Sequence, residues 1–289
     1  MDDKKGIKRK NEEAETIENV DSASGEEDLD QDTVDVDFEF FDPKPIDFHG
    51  LKSLLRQTFS NDAELINISS LADIIISQPA VGSTVKVDDE QDPYALMTVI
   101  NLDMHKDKDC VKEIKGWLLD KSKKNDAVHG RMVQIVEKAG LIFNERLINM
   151  PPQIVPPMLK MLLEEMEWAV EDGEPFRFEY YIYISKVYKE IESTLAEEDG
   201  VVIESSKKGK KKRAKTSTET STFYFQPEDE IIQEHAEFSF DFKFAKEAQS
   251  SDSRRAFQEY GIDPLRRVFV IKAEKMKAVL EQFESILSA

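Results

Sequence analysis

Two stretches of one-sided charge decide how much of this chain can pack into a core. Residues 11–43 hold fourteen Asp and Glu and no Lys or Arg, and residues 1–32 are polar and nearly free of aromatics. Such a segment buries too little apolar surface to offset its chain entropy, so residues 1–32 are expected to be a disordered acidic tail. The opposite sign is concentrated in Lys207-Lys208-Gly209-Lys210-Lys211-Lys212-Arg213-Ala214-Lys215, inside a stretch (196–221) without periodic apolar residues. That stretch reads as a flexible basic insertion between strands. The rest of residues 33–289 is expected to fold as a single globular domain.

The formal net charge is −20, and the body is acidic in its own right. An acidic surface repels phosphate backbones and attracts Lys- and Arg-rich polypeptides, so protein partners are expected and direct nucleic-acid binding is not. Hydrophobic residues make up 40% of the chain, ample for one core of roughly 200 residues. A single cysteine, Cys110, cannot build an internal disulfide framework and fits a reducing compartment. The opening Met1-Asp2-Asp3-Lys4-Lys5 has no apolar stretch of a secretory signal, and no run approaches the roughly 18–20 apolar residues of a membrane span. The expected compartment is nuclear or cytosolic.

Order is expected to begin at Val34-Asp35-Val36-Asp37-Phe38-Glu39-Phe40, whose period of two marks a strand with one buried face. Phe48, Leu51, Leu54, Leu55 and Phe59 then fall on one helical face. The Ile-rich run Leu65–Ile76 and the short Thr84–Val87 read as strands, and Tyr94–Leu102 as a central one. Helices are predicted over 108–120 and 126–139, with Gly140 as a stop.

After the stiff Asn149-Met150-Pro151-Pro152-Gln153-Ile154-Val155-Pro156-Pro157, the last proline is placed to open a helix. Leu159, Leu162, Leu163, Met166 and Val170 would be its buried stripe, with Glu164, Glu165, Glu167 and Glu171 outside it. Phe176–Ile184 reads as a strand running into a short helix over 187–194. Strands are also predicted at Phe223–Phe225, at Phe238–Phe244 with phenylalanines turned inward, and at Val268–Ile271. A last helix carries Met276, Val279, Leu280, Phe283, Ile286 and Leu287 on one face; that spacing also matches a leucine-rich export signal, but a buried stripe accounts for it more simply. The class is therefore α/β or α+β, with a mixed central sheet of six or seven strands flanked by helices.

Catalytic signals are scarce. His49, His105, His129 and His235 show no zinc-ligand spacing, and Cys110 sits in an acidic neighbourhood that disfavours a thiolate. No nucleophile elbow, Walker loop or Gly-rich dinucleotide cradle occurs. Ser24-Gly25-Glu26-Glu27 suits an acid-directed kinase, a common pattern. The basic island is the sharper signal. Lys207, Lys208, Lys210, Lys211, Lys212, Arg213 and Lys215 form a candidate nuclear-localisation signal, with Lys8-Arg9-Lys10 as weaker support.

Several blocks then carry a family resemblance. Val36-Asp37-Phe38-Glu39-Phe40-Phe41-Asp42 followed by Phe48-His49-Gly50-Leu51-Lys52-Ser53-Leu54-Leu55-Arg56-Gln57 resembles the opening signature of the BCCIP family, especially its fungal branch. Ser69–Asp73, Asp92-Pro93-Tyr94, Asn144-Glu145-Arg146-Leu147-Ile148-Asn149-Met150-Pro151-Pro152 and Pro156–Leu159 continue the match over residues 34–289. The resemblance implies a nuclear, non-enzymatic adaptor resembling the Gcn-five-related acetyltransferase fold without its cofactor loop, and no cofactor. No Arg/Gln-x-x-Gly-x-Gly/Ala pyrophosphate loop is present in this sequence, in agreement.

For fungal members the resemblance implies chaperoning of a basic ribosomal protein of the large subunit, dealings with nuclear transport receptors, and export of a phosphatidylinositol-phosphate kinase. Animal members are linked to cell-cycle inhibitor and recombination-protein partners. The expected location is the nucleus, with shuttling to the cytoplasm. Candidate client-binding residues on the body are Glu164, Glu165, Glu167, Glu171 and Asp172, with residues 26–39 as an auxiliary arm. A histone chaperone and a degenerate acyltransferase stand as the alternatives.

Overall fold

The computed structural model describes residues 37–78, 81–87, 92–191, 222–244 and 260–287. Its strands are β1 (Phe38–Phe41), β2 (Ser83–Val87), β3 (Ala95–Asn101), β4 (Gly140–Arg146), β5 (Tyr180–Glu190), β6 (Thr222–Tyr224), β7 (Phe238–Phe242) and β8 (Ile262–Lys272). Its helices are α1 (Phe48–Phe59), α2 (Ile68–Ser77), α3 (Asp109–Ser122), α4 (Asp126–Ile135), α5 (Val155–Glu171), α6 (Pro227–His235) and α7 (Met276–Leu287). All eight strands join one sheet in the spatial order β1-β2-β3-β4-β5-β8-β7, with β6 also paired to β5. Among the described residues only β4 and β5 run parallel. The reason is connectivity: α5 carries the chain back across the sheet between them, as a parallel pair requires.

Alternation along the strands sends side chains into two separate cores. Leu96, Ile100, Leu141, Phe143, Ile182, Ile184, Val268 and Val270 meet α1–α4 on one face. Met97, Val99, Ile142, Tyr181, Tyr183, Phe269 and Ile271 meet α5, α6 and α7 on the other. The central strand expected over 94–102 is β3, buried along its whole length. The result is a mixed α/β fold with a mostly antiparallel sheet covered by helices on both sides. No helix among the described residues is long and apolar enough to cross a membrane.

Several expectations need correction. Leu65–Ile76 is not a strand: Asn67 caps α2 by accepting the Ser70 N–H at 3.1 Å, and Ile68, Leu71, Ala72 and Ile75 follow a helical period into the core. Periodicity and a cap outweigh the β-propensity of isoleucine here. Gly140 does not stop a helix; α4 ends at Ile135, and Gly140 opens β4, a strand the reading above lacks. No helix forms at the end of β5, because all eleven of its residues pair with β8 as far as Glu190↔Ile262. That pairing also lengthens β8 well beyond Val268–Ile271. The sheet thus has eight strands rather than six or seven, and α6 is an additional helix.

Candidate interaction surface

The α5 helix begins at Val155, two residues before the expected Pro157, with Pro156 and Pro157 inside its first turn. Proline fits there because those backbone N–H groups would have no helical acceptor. Leu159, Leu162, Met166 and Ala169 are buried against the sheet, while Leu163 and Val170 are half-buried at the margin. Glu164, Glu167, Trp168, Glu171 and Asp172 all lie exposed. Glu167 makes a surface ion pair with Lys277 of α7 at 3.2 Å. Asp172 ends the helix, its backbone N–H donating to the Trp168 carbonyl at 2.9 Å.

Glu165 has a different job from its neighbours. Its carboxylate accepts the Gly82 N–H at 2.7 Å and the Ser83 hydroxyl at 3.4 Å, fastening α5 to the start of β2. Burial pushes its pKa up, against the hydrogen bond from Gly82. Gly82 itself has φ +117°, and a Cβ there would fall 2.4 Å from the Thr98 hydroxyl, so the site demands glycine. Four of the five candidate client-binding residues therefore face solvent, and the fifth is engaged inside the fold.

Under α6 lies a polar network that the sequence reading missed. The parallel pairing of β4 with β5 covers only Gly140↔Tyr181 to Ile142↔Tyr183. Beyond it the strands diverge, and the free edge of β5 is taken up by β6 through Val187↔Tyr224. The first turn of α6 fills the divergence on one face. Arg146 donates through both terminal guanidinium nitrogens to the two carboxylate oxygens of Glu228, and Asn144 bridges Tyr183 and Glu228 at 3.1 and 3.2 Å. Asp229 is bonded to the Tyr183 hydroxyl at 2.8 Å and to the Ser185 hydroxyl.

On the opposite face Glu145 bridges Lys186 and Thr58. Glu228 and Asp229 are both 0% exposed. Burial first, and then the charge of Glu228, raises the Asp229 pKa to about 8. With Asp229 protonated, Arg146 and Glu228 cancel, and the buried cluster is neutral. Its chemistry is that of a staple holding α6 to diverging strands. A general base must reach a substrate proton, and these carboxyls are sealed from solvent.

The remaining candidates are dispersed. His129 is bonded to Ser122 at 2.8 Å and His235 to Gln282 at 2.7 Å. Among the described residues no group of three or more His, Cys, Asp or Glu could hold a metal ion. Cys110 is fully buried, and burial raises its thiol pKa. On α7, Met276, Val279, Phe283 and Leu287 are buried and Leu280 packs beside them, whereas Ile286 is exposed. Phe242 is the fully buried phenylalanine of β7, its neighbours Phe238, Phe240 and Phe244 being half-buried. The acidic tail, the kinase pattern, Lys8–Lys10 and the basic island lie outside the described residues. A groove of about 240 Å³ between Arg131, Gln134, Ile135, Lys138, Glu179 and Tyr180 shares no residue with the network.

A mixed sheet with a crossover helix, a stapled divergence and an acidic outer helix defines a class: a helix-covered α/β protein whose exposed chemistry is a charged surface. The chain belongs to the BCCIP family, whose profile matches residues 33–232. It is 43% identical over 270 residues to protein bcp1 of Aspergillus oryzae, covering 91% of this chain and 90% of that one. Protein bcp1 of Schizosaccharomyces pombe is also 43% identical, over 90% of this chain and 93% of its own. The crystal structure of BCP1 from Saccharomyces cerevisiae superposes with a TM-score of 0.60 at 26% identity, covering 91% of this chain and 94% of that one.

Proposed function

We propose that this protein is a non-enzymatic nuclear chaperone and adaptor. It binds a basic ribosomal protein of the large subunit, supports ribosomal subunit biogenesis, and takes part in nuclear export of client proteins, a phosphatidylinositol-phosphate kinase among them. The observation that carries the reading is the exposed row Glu164, Glu167, Glu171 and Asp172 on α5 of a chain whose net charge is −20. A newly made ribosomal protein is dense in Lys and Arg and would otherwise bind RNA indiscriminately. An acidic face masks that charge through long-range attraction, and apolar contacts add specificity.

The non-enzymatic part is supported by the polar network at the divergence of β4 and β5, whose buried carboxyls, Glu228 and Asp229, are engaged within the fold and out of reach of a substrate. The basic island supports nuclear entry through a transport receptor. The reading is tested by capture from cell extract on the full chain at low and moderate salt. Recovery of a basic large-subunit ribosomal protein supports it. Its absence at both salts sinks it. Replacing Lys210, Lys211, Lys212 and Arg213 by Ala is expected to shift a fluorescent fusion toward the cytoplasm; an unchanged nuclear signal removes the island from the account.

A further inference from the structure

We propose that Trp168 is the anchor of the client surface, receiving an Arg- or Lys-bearing segment of a basic protein on its indole face while the carboxylates around it hold the flanking cations. This rests on the acidic-chaperone reading above and assigns that reading a docking point.

The two tryptophans of the chain have opposite fates. Trp117 is 5% exposed, its ring edge-on to Phe59 and Phe242 and its N–H donated to Asp62 at 2.9 Å. Trp168 is 59% exposed. Among the described residues its indole N–H has no acceptor and its ring has no aromatic or cationic neighbour. Tryptophan is among the residue types that most often dominate the energy of a protein interface, and here more than half of its surface faces water.

The surrounding charge is placed against the interest of the helix. A helix C-terminus carries partial negative charge and favours cations, and its N-terminus favours anions. α5 has no acid in its first turn and no base in its last. Glu164, Glu167, Glu171 and Asp172 instead crowd its final two turns, where they repel the helix carbonyls and one another. Helical spacing sets Glu164 and Glu171 on either side of Trp168, one turn away in each direction. Apart from the exposed Glu167–Lys277 pair, folding gains little from this arrangement, and a cationic partner would relieve it.

Lys277, reaching over from α7 to Glu167, shows that the face already accepts an ammonium group. The ring quadrupole supplies the specific part: a guanidinium or ammonium over an indole is the favoured cation–π pair, and negative neighbours strengthen the local demand for a cation. The occupant fitted by this combination is a Lys/Arg-rich polypeptide. A nucleic acid would be repelled by the same carboxylates.

The full chain is titrated with a nine-residue arginine peptide by calorimetry and by tryptophan emission, with a nine-residue glutamate peptide as control. Binding is expected to change the emission of Trp168, and Trp168→Ala is expected to lose that change and to weaken affinity about tenfold or more. Circular dichroism and the unfolding midpoint are expected to stay at wild-type values, because the side chain is exposed. If the variant fails to fold, the wild type still decides the matter: the peptide must protect the exposed tryptophan from caesium quenching. Equal affinity in Trp168→Ala and wild type, with the basic client still captured from extract, overturns the anchor and leaves the acidic reading intact. Loss of a dimer in the variant overturns it in favour of a second copy of this chain. Absence of any basic client from wild-type capture removes the acidic reading itself.

Discussion

Arg146, the last residue of β4, grips Glu228, in the first turn of α6, through both arms of its guanidinium, across 82 residues of sequence. Both side chains are buried and lie where the parallel strands part. The pair therefore ties β4 to α6, while Asp229, the next residue of the helix, ties α6 to β5 through Tyr183 and Ser185.

Removing one partner is expected to cost more than the pair contributes. Arg146→Ala or Glu228→Ala should destabilise the fold by about 3–5 kcal/mol, since each leaves an uncompensated charge in a dry site. The double variant Arg146→Met/Glu228→Leu should recover much of that loss. Urea denaturation of the four proteins checks this; singles that unfold like the wild type would remove the staple from the account.

Asp229 makes stability depend on pH in the direction opposite to most carboxylates. Its folded pKa is raised to about 8, by burial first and then by Glu228, from an ordinary carboxyl value of 3.8. The folded state thus holds a proton that the unfolded state has released. The stabilisation is fully present below the unfolded pKa and is lost as pH rises through the folded one, with a limiting slope of about 1.4 kcal/mol per pH unit. Asp229→Asn keeps the neutral shape and should flatten the decline between pH 4 and 8. Parallel pH profiles for the two proteins would show that Asp229 is ionised in the fold.

Glu165 ties α5 to β2 through the Gly82 amide. Glu165→Ala orphans the N–H of the buried Gly82 and should cost about 1–3 kcal/mol. Gly82→Ala should cost more, because it combines a disallowed φ with the approach to Thr98. Thermal unfolding ranks the two, and an exposed charge such as Glu171→Ala serves as the near-neutral reference.

The non-enzymatic proposal predicts that acetyl-CoA does not bind. Calorimetry at high protein concentration should give no saturable heat. Micromolar, saturable binding would contradict it and restore the acyltransferase alternative.

What the sequence disclosed, and what it hid, follows from which side chains do the burying. β3 was legible as a near-continuous apolar run, and α5 and α7 because Leu159–Met166 and Met276–Phe283 bury apolar groups at helical period. β4 was not. Its second half, Asn144-Glu145-Arg146, has the composition of a loop and is buried only because Glu228, Tyr183, Lys186 and Thr58 pair with it from distant parts of the chain. α6 was hidden for the same reason, since two of its buried residues are Glu228 and Asp229. Long-range polar pairing leaves no periodic trace. The acidic residues of α5 were legible as a set, but neither the inward turn of Glu165 nor the exposed Trp168 among its fellows could be read from spacing alone.

The central claim is that the acidic face of α5 receives a basic large-subunit ribosomal protein. Competition capture puts it to the test most directly: the full chain, and a charge-reversed Glu164→Lys/Glu167→Lys/Glu171→Lys variant, are offered equimolar large-subunit ribosomal proteins and core histones at moderate salt. The account predicts that the wild type retains a ribosomal protein over histones and that the reversed variant, still folded, loses it. Preferential retention of histones, or equal retention of the ribosomal protein by both chains, would contradict it.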